Sequence, residues 1–145
     1  MELSRELFHL FLTSEDTLWI SRDNSIIYRS EKKGIAPLVD YITEYKPSDS
    51  DKDVVVYDRV IGNAAAVLLE KLSCKAAFTH TVSNAALETM NNLGINCFHV
   101  EVVSHIKNRQ GDGPCPFEEV SIGKSADEFL EFLKQSKKFE MVSPS

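Results

Sequence analysis

In the stretch Pro114-Cys115-Pro116-Phe117-Glu118 a thiol stands just ahead of a carboxylate. Proline at the first helical position and an acid at the third mark a helix start, which puts Cys115 at the N-cap. The positive end of a helix dipole favours a thiolate there. Cys115 is therefore a candidate nucleophile or redox-sensitive thiol, with Glu118 as its proton acceptor. A plainer alternative stays open: buried cysteines mostly pack, and Glu118 then only completes the cap. Gly111 and Gly113, just upstream, let the backbone approach a ligand or a neighbouring helix closely. Arg109 offers a planar fork suited to carboxylate or phosphate.

A second set lies at 58–63. Val54-Val55-Val56-Tyr57 is an unbroken apolar run, as in a strand covered on both faces. Asp58 ends the run, and from Val60 apolar residues recur at helical spacing to Leu72. Such a strand-to-helix turn leaves backbone N–H groups free for a polar or anionic ligand. Asp58 reads either as an acceptor or base facing that ligand, or as an ordinary N-cap. Arg59, Gly62 and Asn63 follow it. Gly62 gives room to a ligand or to close helix–sheet packing.

Other candidates are weaker. Lys32 and Lys33 could bind a phosphate or carboxylate, although paired surface lysines are usually solvated. His80 ends a short buried strand and is either a general base or a hydrogen-bonded structural histidine. His99 and His105 have no partner at metal-ligand spacing. Cys74 and Cys97 read as core residues. No metal or cofactor is expected.

The elements that must position these residues follow from patterning. Residues 2–13 form an amphipathic helix with Leu3, Leu7, Leu10 and Phe11 on one stripe. Strands at 17–21 and 25–29 flank the turn Arg22-Asp23-Asn24, a hairpin. A helix starts near Ile35, and 46–52 is a polar loop. Further strands are predicted at 54–57, 76–78 and 95–100, with a helix over Ala85–Leu93 closed by Gly94. Residues 104–145 read as a loop and a helical tail that opens on the capping box Ser125–Glu128. Alternating helices and strands imply one sheet with helices on both faces, mixed because of the hairpin. The 145 residues suffice for a single domain.

The net charge of −6 argues against nucleic acid or an anionic membrane as main partner. Three cysteines without a CxxC pair, and no signal or membrane segment, fit a reduced, cytoplasmic protein.

The order of elements resembles the cytidine-deaminase-like superfamily. Asp58–Ala66 (DRVIGNAAA) together with 108–118 (NRQGDGPCPFE) resembles one bacterial branch of it, domain of unknown function 1893. The resemblance implies a three-layer α/β/α sandwich whose mixed five-stranded sheet has the order 2-1-3-4-5. Zinc deaminases carry H-x-E and P-C-x-x-C at two helix starts. Here the corresponding stretches, 30–36 and 58–62, have no His and no Cys. A zinc site needs about four ligands, mostly His and Cys. The expectation is therefore a zinc-free fold binding a small polar or anionic, nucleotide-like molecule near Asp58. The alternative is a Cys115-dependent enzyme of acyl or glycosyl transfer or hydrolysis, or a thiol redox sensor. Related folds often assemble, which implies self-association at an interface the sequence does not locate.

Overall fold

The computed structural model describes residues 2–45, 53–107 and 115–142. Helix α1 (Glu2–Thr13) leads into β1 (Leu18–Arg22), β2 (Ser25–Ser30) and α2 (Ala36–Asp40), which runs on through a wider π-type turn, Tyr41–Tyr45. Then come β3 (Val54–Ile61), α3 (Asn63–Leu68), a 3-10 turn at Leu69–Leu72 and β4 (Cys74–Ser83). The chain closes with α4 (Asn84–Asn92), β5 (Asn96–Val103), α5 (Pro116–Ser121) and α6 (Ala126–Val142). The strands form one sheet in the order β2-β1-β3-β4-β5. β1 runs antiparallel to both neighbours, and β3, β4 and β5 are parallel.

Local chemistry explains the boundaries. Asp23 (φ 52°) and Asn24 (φ 64°) both take the left-handed conformation that a tight hairpin turn requires. Ser83 caps α4 by accepting from the Ala86 N–H. Gly94 (φ 74°) ends it, with Ile95 N–H donating to Met90 O at 2.9 Å and Gly94 N–H to Asn91 O at 3.1 Å. The Ser125–Glu128 box closes reciprocally, at 2.9 and 3.1 Å.

Two cores lie on opposite faces of the sheet. On one, α2, α3, α4 and α6 cover Leu18, Ile20, Val54, Val56 and Ala77. The other is smaller: α1 sets Leu7, Phe8, Phe11 and Leu12 against Trp19, Val55, Tyr57 and Phe78. Leu3 and Leu10, predicted on the buried stripe of α1, instead face solvent. The helix turns toward the sheet the side on which Phe8 and Phe11 meet the rings of Phe78 and Trp19.

Two strands are longer than their apolar runs. β3 continues through Val60 and Ile61 because β4 continues beside it, with Val60 paired to Thr81 and Ile61 to Val82. The helical periodicity predicted from Val60 therefore begins only at Asn63. β4 likewise runs through Thr79, His80 and Thr81, where polar residues hid β-branched strand formers. His80 thus sits inside a strand rather than at a crossing to a helix.

Arg59 joins β3 to the end of α1. Its guanidinium donates to Asp16 O (2.9 Å), Phe11 O (3.1 Å), Leu12 O (3.4 Å) and Ser14 O (2.5 Å), and lies 5.0 Å from the Phe11 ring centre. A cation on the last carbonyls of a helix satisfies them and complements the dipole. Hydrogen bonds to a charged donor contribute about 1.5–3 kcal/mol together with the acceptors they satisfy. Arg59→Ala should lower stability in urea by about 2–3 kcal/mol. Arg59→Lys, which keeps the charge and loses the fork, should recover only part of it.

Candidate functional site

A cleft of about 810 Å³ opens on the α2–α3 side of the sheet. Its floor is the C-terminal half of β3, at Asp58 and Val60, with Gly62, Ala64 and Ala65 at the start of α3. One wall is the entry to α2, with Lys33, Ile35, Ala36 and Val39. The facing wall is Ile106 and Lys107 with the start of α5, Cys115 to Glu118, backed by Leu133 of α6. Apolar side chains supply most of this surface, with a few polar groups converging on it, the usual make-up of a small-molecule site.

The walls meet at Gly62. A Cβ there would stand 2.8 Å from Ile106 Cγ1 and 3.7 Å from Glu118 Cδ. The φ of −92° is open to any residue, so glycine is required by space and not by strain. Glu118 is 5% exposed. Its Oε2 accepts from the Ile106 N–H at 2.5 Å, which ties α5 to the end of the β5 segment. The same segment is held by Cys115 N–H donating to Ile106 O at 2.7 Å. Glu118 Oε1 is buried and has no hydrogen-bond partner among the described residues. An unpartnered buried polar atom costs about 1–3 kcal/mol. Of the two roles expected for Glu118, proton acceptor for Cys115 or return partner of its own cap, the second is not seen: Oε2 reaches across to a segment twelve residues back.

Asp58 lies mid-strand, opposite Leu18 on β1 and Thr79 on β4, and not at a helix N-cap. Gly62 takes the N-cap position of α3. Loss of solvent pushes the Asp58 carboxyl up to about 8, against the opposing pull of the Val60 and Arg59 backbone and the Arg59 charge. Near neutral pH the carboxyl therefore carries a proton for much of the time, and is both donor and acceptor.

Cys115 occupies the N-cap position of α5 but makes no capping hydrogen bond through its side chain. It is half-buried, unbridged and on the cleft wall. The other two cysteines are partly buried against the core, and burial pushes Cys74 up to about 12 and Cys97 up to about 11. Thiolate chemistry is suppressed at both.

Other sequence candidates are placed elsewhere. Arg59 borders the cleft, but its guanidinium is committed to the end of α1. Asn63 is buried; its Nδ2 donates to Ser121 Oγ at 2.9 Å and its Oδ1 accepts from Thr89 Oγ1, tying α3 to α5 and α4. Lys32 pairs with Asp40 at 2.6 Å, leaving Lys33 on the cleft. His80 is exposed and bonded to Thr81 Oγ1 at 2.9 Å, away from the cleft. Arg109 and Gly113 lie outside the described residues. Ile106 and Lys107 were not anticipated, because their part in the site is backbone and position, which residue type does not signal. Among the described residues no three His, Cys, Asp or Glu side chains are grouped to hold a metal ion. No helix among them is long and apolar enough to cross a membrane.

Fold and cleft together define an α/β sandwich with one wall of its site built by a late segment folding back over the central strand. Residues 8–136 match the profile of the domain of unknown function DUF1893, and the chain belongs to that family. It is similar in structure to TM1506, a DUF1893 family protein from Thermotoga maritima, with a TM-score of 0.80 and 22% sequence identity over 93% of this chain and 90% of that one. No functionally curated protein matches.

Two outcomes follow from this geometry. Gly62→Ala should cost about 1–3 kcal/mol in chemical denaturation. Adding Ile106→Ala, which removes the opposing Cγ1, should make the pair less harmful than the sum of the two single changes. For Asp58 the folded-state pKa is raised from 3.8 to about 8, so the folded chain keeps a proton that the unfolded chain releases. Its contribution is fully present below about 4, is lost as pH rises toward 8, and changes no further above that. The stability of Asp58→Asn minus that of wild type, measured by urea titration, should therefore increase across this window and then level.

Proposed function

We propose that the cleft binds a small polar molecule that brings N–H donors to Glu118 and Asp58. The observation that carries this reading is Glu118 Oε1, a buried acceptor without a partner among the described residues, on a residue that lines a mostly apolar cleft. Such an atom is tolerated where a ligand completes it. A protonated Asp58 offers a donor beside an acceptor, which matches the edge of an amide or amino-heterocycle. Lys33 and Lys107 at the border can take a phosphate or carboxylate further out. A nucleotide-like molecule, base inward and anionic group outward, satisfies both ends. Kinship to cytidine deaminases is part of the same proposal; the strand order supports it, and the absence of His and Cys at the two corresponding stretches supports a zinc-free branch.

A second reading is favoured by one observation: Cys115 shares the cleft with Asp58 and Glu118. It is that Cys115 attacks a bound acyl or glycosyl group, or responds to oxidants as a sensor.

The test is native mass spectrometry of freshly purified protein, followed by thermal-shift screening of nucleosides, nucleotides and amino acids. A compound bearing amino or amide N–H groups should raise the melting temperature. Glu118→Gln, which keeps an acceptor for Ile106 but replaces a charge-capable oxygen with an amide, should weaken binding at least about tenfold, the loss of one strong hydrogen bond. No retained or stabilising compound, or equal binding by the variant, would reject the first reading. If binding survives and the compound fails to slow Cys115 alkylation, the second reading falls.

A further inference from the structure

We propose that the free edge of the sheet is a self-recognition surface, on which β5 pairs antiparallel with β5 of a second copy about a two-fold axis at Val100. Among the described residues β5 ends the sheet and is bonded to β4 alone. Alternate residues along its outer side therefore present backbone N–H and C=O groups. Proteins usually blunt such an edge with lysine, proline, a bulge or a very short strand. β5 uses none of these. It is eight residues long, NCFHVEVV, and pairs with β4 without a shift in register. Val100 is 62% exposed and Val102 44%, in the middle of the strand.

The strand's own sequence identifies a second copy as the occupant. Centred on Val100, antiparallel pairing sets Phe98 opposite Val102 and Val100 opposite itself. These apolar side chains share one face, because facing residues alternate with period two. On the other face His99 meets Glu101 of the second copy, and symmetry repeats the pair. A histidine N–H donates there to the Glu101 carboxylate, whose Oε1 already accepts from Thr81 Oγ1 at 3.2 Å within the chain. Moving the axis one residue either way destroys this. At Glu101 two carboxylates face each other, and at His99 two imidazoles do, with Glu101 opposite Cys97. Register is thus specified by the charges as well as by the apolar face. The result is one ten-stranded sheet. The edge lies two strands from Asp58, so both clefts stay open.

Sedimentation equilibrium on the full chain tests this. Wild type should run at twice the chain mass of 16.3 kDa. Val100→Lys should give a monomer, and Glu101→Lys should weaken association about tenfold, as expected when cross-strand partners are lost or made like-charged. Circular dichroism should be unchanged in both, since these side chains are exposed. The exchange His99→Glu with Glu101→Lys restores opposite signs at each position and should restore the dimer. A monomeric wild type overturns the proposal. A dimer indifferent to Val100→Lys and Glu101→Lys overturns it as well, and failure of the exchanged pair to recover overturns the register.

Discussion

The cleft depends on one hydrogen bond, from the Ile106 backbone N–H to the buried carboxyl of Glu118. It joins the chain leaving the sheet at β5 to the chain entering α5. Beside it, the Cys115 N–H donates to Ile106 O at 2.7 Å, a second tie between the same two segments. Gly62 sets the height of the wall opposite α2, because the Ile106 side chain rests where a Cβ would be. Contact and bond act together: the glycine admits the segment, and the carboxyl fixes it.

Burying a carboxyl is costly unless its lone pairs are used. Glu118 uses one oxygen for structure, and the other is buried without a hydrogen-bond partner among the described residues. Its helix is held independently. Ser121 Oγ donates to Glu118 O at 2.8 Å and accepts from Asn63, and Asn63 in turn accepts from Thr89. This buried relay orients α5 from α3 and α4, so the position of Glu118 does not rest on its own hydrogen bond alone. A polar group held by its neighbours rather than by its own contacts can stay in place while one of its atoms goes unpaired.

Much of the fold was legible because single residues carried unambiguous backbone demands. Asp23-Asn24 announced the hairpin, Gly94 the end of α4, and Ser125 with Glu128 the start of α6. The strand order came from family resemblance, since periodicity cannot say which strands are neighbours. The errors arose where tertiary pairing overrode local pattern. Val60 and Ile61 fit a helical stripe but belong to a ladder with Thr81 and Val82. Thr79 to Thr81 looked too polar for a buried strand, yet Thr79 is fully buried with its hydroxyl bonded to Thr81 O. In the site, Asp58, Gly62, Cys115, Glu118 and Lys33 were visible by type and spacing. Asn63 and Arg59 had the right chemistry but are used inside the scaffold. Ile106 was invisible, because what it supplies is an N–H and a methylene surface.

Asp58 and Arg59 show how one strand serves both scaffold and cleft. They are adjacent in sequence, and strand alternation sends them to opposite faces. The Arg59 guanidinium donates to the Phe11 and Leu12 carbonyls of α1 and to those of Ser14 and Asp16 just beyond it. At Asp58 loss of solvent outweighs the opposing Arg59 charge and pushes the pKa up to about 8. Had both side chains pointed the same way they would have formed an ion pair, lowering the Asp58 pKa and closing the floor of the cleft. Period-two geometry prevents that. It leaves on the cleft floor a carboxyl whose pKa burial raises to about 8.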